Sequence, residues 1–212
     1  MKSLKKTVAT GYLKAKDWEG LLCWSENERA AIRILSSLAL DLDPLIHWRA
    51  IEGLGKLFAG LAVNDMGKVK QYIRRQLWGM NDESGSVIWS APETIAEIIT
   101  NVPSLIEKYG IILASSIDLE PFPRGVHWGI ARISSVNPAI YSETVPVLRQ
   151  SLSSSDPVIR GCSVIALNNI DPRGSYAHID NLKTDEVVFE MYDMELSDFR
   201  STSPAAMVRD KA

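Results

Sequence analysis

The sequence predicts an all-α fold of about four repeated helix pairs, followed by a small β-hairpin and a last helix. Three observations predict it. Four segments of the 212-residue chain superpose, and three of them carry tryptophan at the same place, Trp48, Trp89 and Trp128, about 40 residues apart, the spacing of helical-hairpin arrays. Two of the segments open on Asp-Pro, a helix start with a mechanism: the carboxylate accepts an orphan amide, and proline lacks the amide that would go unpaired. Beyond residue 174 the helical periodicity gives way to a β-branched and aromatic run.

The elements follow in order. Lysines 2, 5, 6, 14 and 16 open a polar start, and Trp18, Leu21, Leu22 and Trp24 give a short helix to cap the array's exposed apolar end. Asn27 to Leu40 forms the first outer helix, with Ala31, Ile34, Leu35 and Leu38 inward. It pairs with an inner helix from Pro44 to about Leu61, whose stripe is Ile46, Ala50, Gly53, Leu54 and Leu57. Residues 65–80 form the next outer helix; Lys68, Lys70, Arg74 and Arg75 make its other face basic, as on most solvated helices. The linker Asn81-Asp82-Glu83-Ser84-Gly85 leads into the second inner helix, whose stripe runs from Val87 to Ile98, with Pro92 kinking it near Trp89. Val102 to Ser116 is the third outer helix. Pro121-Phe122-Pro123 imposes an extended turn, and the third inner helix stops before Asn137-Pro138. Pro138 to Leu152 and Pro157 to Ile170 complete the fourth pair. Residues 187–192 and 199–202 are the two strands, and Ser203-Pro204 caps a helix through Val208. The expected division is 1–174 for the repeats and 175–212 for the appendage.

The inner-helix pattern Asp156-Pro157-Val158-Ile159-Arg160, with Asp43-Pro44-Leu45-Ile46-His47, resembles HEAT-like repeats of the phycobilisome-lyase type over residues 25–170. Leu77-Trp78 together with Trp89-Ser90-Ala91-Pro92-Glu93 resembles an uncharacterised bacterial group of HEAT-like proteins. The resemblance implies a right-handed α-α superhelix, a HEAT-like solenoid whose inner helices line a concave face. It implies no activity.

On a helical wheel Trp48, Trp89 and Trp128 fall opposite the core stripe, and Glu52, Glu93 and Arg132 stand one turn later on the same side. A ladder of indoles in a concave groove is the expected ligand-binding site. Exposed aromatic surface marks recognition sites, and tryptophan offers large rigid area with one donor. Glu83 and Glu93 would add carboxylates beside that wall for a cationic or hydrogen-bonding ligand. His127 precedes a ladder ring, as His47 does, in the arginine position of the repeat. The competing expectation is that the rings fill gaps between helices, since tryptophan is usually mostly buried.

A net charge of −3 gives no global attraction to nucleic acid or to an anionic membrane. No apolar run approaches the ~18 residues of a membrane span, and no apolar segment follows the N-terminal lysines as in a signal peptide. A cytoplasmic protein is the default expectation. Cys23 and Cys162 lie far apart in apolar helical contexts, as buried free thiols do. No His-Glu pair supports the metal chemistry of the HEAT-like deoxyhypusine hydroxylase, and no glycine-rich phosphate loop is present. The expectation is therefore a non-catalytic binding or scaffold protein without cofactor, which takes a protein segment or a small organic ligand. Two alternatives rest on resemblance. One is a tetrapyrrole lyase-like role. The other is an alkylpurine DNA glycosylase-like enzyme, for which the chain is short of the cations that DNA phosphates require.

Overall fold

In the computed structural model, which describes residues 2–81 and 87–209, the chain is all-α with one two-stranded sheet. The helices are α1 (Lys2–Ala15), α2 (Trp18–Asn27), α3 (Ala31–Leu38), α4 (Pro44–Asn64), α5 (Met66–Met80) and α6 (Ala91–Asn101). Then come α7 (Ile106–Ala114), α8 (Pro123–Ser134), α9 (Val145–Ser151), α10 (Pro157–Ile170), α11 (Tyr176–Ile179) and α12 (Pro204–Arg209). Tight 3₁₀ turns at Pro103–Leu105 and Pro138–Thr144 precede α7 and α9. Strands β1 (Phe189–Asp193) and β2 (Asp198–Thr202) make the hairpin. Its turn is set by Asp193, whose Oδ1 accepts from the amides of Glu195 at 2.8 Å and Leu196 at 3.2 Å.

Packing divides the chain into two compact units. One comprises Met1–Val102 with Tyr192–Phe199, the other Pro103–Met191 with Arg200–Ala212. The 175–212 segment, grouped by sequence pattern, is thus shared between the two.

In the first unit α4 is the central element and packs against α1, α2, α3, α5 and α6. Asp43 caps it as the sequence requires, accepting from the amides of Leu45 at 2.9 Å and Ile46 at 3.4 Å, with Pro44 in the first turn. Because neighbours surround α4, burial runs unbroken through residues 49–55, around the whole helix rather than along one stripe. The core stripe is there (Ile46, Ala50, Leu54), and so are Arg49 and Glu52 on the side assigned to solvent.

In the second unit α10 takes the same place, against α8, α9 and α12. Asp156 caps it through the Val158 amide at 2.9 Å. Gly161 stands where three other segments carry tryptophan. A Cβ there would lie 2.7 Å from both Met207 Sδ and Phe189 Cζ, so an aromatic from β1 occupies the space instead.

Three local expectations are corrected. The second inner helix begins at Ala91, and the expected helical residues 87–90 ahead of it are not helical, so Pro92 lies in the first turn, where its missing amide costs nothing, and it kinks nothing. Trp89 consequently sits in the turn before α6. The turn at Phe122 is not extended, since Phe122 has ψ near 2° and serves as the N-cap of α8. Cys23 is exposed and Cys162 is buried, and no disulfide joins them.

Candidate binding site

The expected ladder does not form one open row. Trp48, on α4, is half-buried and stacks on Tyr192 of the hairpin, with ring centroids 5.4 Å apart and planes 8° from parallel. The Tyr192 ring meets Phe199 edge-on at 5.6 Å. Trp128, on α8, is only 7% exposed. Trp89 alone is open, at 64%. The wheel fails for a physical reason: it assumes one buried face, whereas α4 and α8 are buried all round.

The charged groups of the ladder are likewise engaged. Glu52 is buried and accepts hydrogen bonds from the Tyr192 hydroxyl at 2.7 Å and Ser197 Oγ at 3.0 Å; Lys56 Nζ lies 3.3 Å away. Burial, then the Glu52 carboxylate, pushes the Tyr192 phenol up from its ordinary value, so it stays a donor. Beside it Arg49 is buried, and its guanidinium makes four hydrogen bonds. Nε donates to the Ser197 carbonyl at 3.0 Å, and Nη1 to the carbonyls of Leu13 and Lys14, both at 3.1 Å; Nη2 faces Asp198 at 3.3 Å. His127 is buried, with Nδ1 donating to the Pro123 carbonyl at 2.7 Å and Nε2 2.9 Å from Ser151 Oγ. Burial lowers its pKa, against that carbonyl. Arg132 lies in the last turn of α8, where a cation complements the helix dipole, and it too is engaged. Glu83 lies outside the described residues.

Glu93 is different. It stands in the first turn of α6, and its Oε2 is buried with no hydrogen-bond partner. Burial raises its pKa to about 7, against its own backbone amide. A carboxyl with a raised folded pKa contributes stability that is whole below pH ~4.5 and is lost as pH rises through ~7. The first unit of wild type should therefore lose up to about 3 kcal/mol relative to Glu93→Gln between those limits. Denaturant unfolding of both proteins across that range reads this directly, and the histidines cancel in the difference. Parallel curves would mean that Glu93 is already ionised in the folded chain.

The first unit opens a groove of about 550 Å³ that the ladder did not anticipate. It runs between α3, α5 and the turn before α6, with Ile32, Ala39 and Ile88 among its apolar lining. The α5 end and that turn approach closely because residue 79 is glycine: a Cβ there would sit 2.5 Å from Ile88 Cδ1, and the Ile88 amide donates to the Gly79 carbonyl at 3.3 Å. Within the groove Tyr72 shares a hydrogen bond with Ser36 at 2.8 Å, and burial pushes its hydroxyl up to about 12. Gln76 is only 7% exposed and its Oε1 has no partner. Trp78 lines the groove while 75% exposed, and the open Trp89 is bracketed by the lining residues Ile88 and Ser90. Sequence reasoning missed this place. Its signal was Trp78 beside Arg75 on a helix whose apolar positions were otherwise accounted for.

Among the described residues no group of three or more His, Cys, Asp or Glu side chains could hold a metal, and no helix is long and apolar enough to cross a membrane. No model of a known protein family matches the chain. The chain is similar to an uncharacterized protein of Archaeoglobus fulgidus, at 29% identity over 153 residues that cover 71% of this chain and 80% of that protein.

Proposed function

We propose that this chain is a non-catalytic binding protein of the HEAT-like kind, that it works in the cytoplasm, and that it holds a segment of another protein in the groove between α3 and α5. The Asp-Pro-capped inner helices support the repeat type. Two cysteines not joined by a disulfide, one of them exposed, suit a reducing compartment. The observation that carries the binding reading is Trp78, a large indole left open at the edge of a preformed cavity with an apolar floor. Open indoles beside grooves are the usual anchors of protein recognition, contributing large area at low entropic cost.

The test is selection from a displayed peptide library, followed by titration of a selected peptide. Trp78→Ala should weaken binding by about tenfold or more, as for a hot-spot aromatic, and leave the unfolding midpoint unchanged. Equal affinity of Trp78→Ala and wild type would remove the groove as the binding site.

A further inference from the structure

We infer that the groove between α3 and α5 takes an acidic peptide segment with an apolar anchor, its carboxylates met by Arg29, Arg33 and Arg75. This rests on the binding reading above and adds the chemistry of the partner.

Three arginines line the groove, and no lining residue is acidic. All three are exposed, and among the described residues none makes a salt bridge. Lys70 and Arg74 on α5 share that lack of a salt bridge but do not line the groove, and other basic groups nearby are paired. Lys68 on the same helix is neutralised by Asp65 at 3.0 Å, and Glu28, the acid next to Arg29 in sequence, is taken by Lys5 at 2.6 Å. The Lys5 hydrogen bond, first, holds the Glu28 carboxyl below its usual range; the charge of Arg33 adds to this as the last of its causes, without an ion pair between the two. A chain of net charge −3 thus keeps three guanidinium groups without a salt bridge, among the described residues, around one cavity. Arginine is suited to this, because its planar fork meets carboxylates with two parallel hydrogen bonds.

The apolar content of the site argues for a segment rather than a small anion. A small anion would engage one or two guanidinium groups and leave Trp78 and Leu40 in water. A peptide lays carboxylates on the arginines while an aliphatic or aromatic side chain covers the floor.

The experiment uses two displayed peptide pools on the full chain. In one, half the positions are Asp or Glu; in the other these are Asn or Gln, with the same apolar residues. Wild type should enrich the acidic pool, and the selected peptides should bind more weakly as salt rises. Arg33→Gln and Arg75→Gln should each cost about tenfold in affinity, the scale of a charged hydrogen bond. Lys70→Gln, an equal loss of charge on α5 outside the groove, should cost almost nothing. Equal enrichment of both pools overturns the acidic class and leaves the groove standing. Enrichment of neither overturns the groove as well. An equal effect of Lys70→Gln, or binding of inorganic phosphate or a single-stranded oligonucleotide in place of peptide, overturns the inference in favour of diffuse charge, a small anion or a nucleic acid.

Discussion

Replacing Arg49 by alanine is expected to destabilise the first unit by about 3–5 kcal/mol, the cost of breaking a buried charge network, and to free the hairpin tip at Tyr192–Phe199. The guanidinium serves four acceptors: the buried carbonyls of Leu13 and Ser197, the Lys14 carbonyl at the C-terminal end of α1, and the partly exposed Asp198 carboxylate, which Lys16 also reaches. Alanine removes every one of these donors at once and strips the buried Ser197 carbonyl of its partner, while the Leu13 carbonyl keeps the Lys16 amide at 3.3 Å. The second half of the effect is specific to this geometry. Ser197 adopts a left-handed backbone (φ 49°), which a residue with a Cβ holds only when its surroundings impose it. Its carbonyl is held by Arg49 and its hydroxyl by Glu52. With Arg49 gone, amide exchange should accelerate across residues 192–199 more than in α5, and Trp48 emission should shift as Tyr192 leaves its face. Arg49→Lys should recover only part of the stability, since an ammonium has no fork to span acceptors from two segments. Uniform exchange throughout the unit in Arg49→Ala would show that the arginine holds the core as a whole and not the tip.

This network also shows where the sequence was legible and where it was not. The caps at Asp43 and Asp156, the stripe Ile46-Ala50-Leu54 and the end of α8 near Ser134 could all be read, because each depends on neighbours within one turn of helix. The strands could be read within two residues from β-branched and aromatic content. The surroundings of the ladder could not. Trp48 and Glu52 look solvent-facing on a wheel, and what covers them, Tyr192 and Ser197, is 140 or more residues away in sequence. The start of α6 was misplaced because Val87 falls in register with the apolar stripe of the repeat, whereas Pro92 marked the real entry. The groove was missed because Arg75 and its neighbours on α5 read as an ordinary solvated face; the arginines of α3 and α5 meet only in three dimensions.

Truncating the ladder rings should give opposite results at two of its positions. Trp128→Ala is expected to cost about 3–5 kcal/mol, as for other buried aromatics cut to alanine. Trp89→Ala should change stability by no more than about 0.5 kcal/mol, as for a surface position outside any network. The difference follows from placement. Trp128 lies within a run of α8, residues 125–131, that is buried on every side, so deletion leaves a cavity that close-packed neighbours cannot fill. Trp89 stands in a turn with most of its surface in water, so little is lost with it. Denaturant unfolding gives both numbers, and acrylamide quenching supplies an independent reading. Trp78→Phe and Trp89→Phe should remove the readily quenched part of the emission, while Trp128→Phe should remove a protected part. The three rings share a repeat position but not an environment, because repetition fixes where an indole is attached and its neighbours decide whether water reaches it. A Trp128→Ala cost below about 1 kcal/mol, nearer the typical surface change than the core one, would put that ring back in solvent and restore the open ladder.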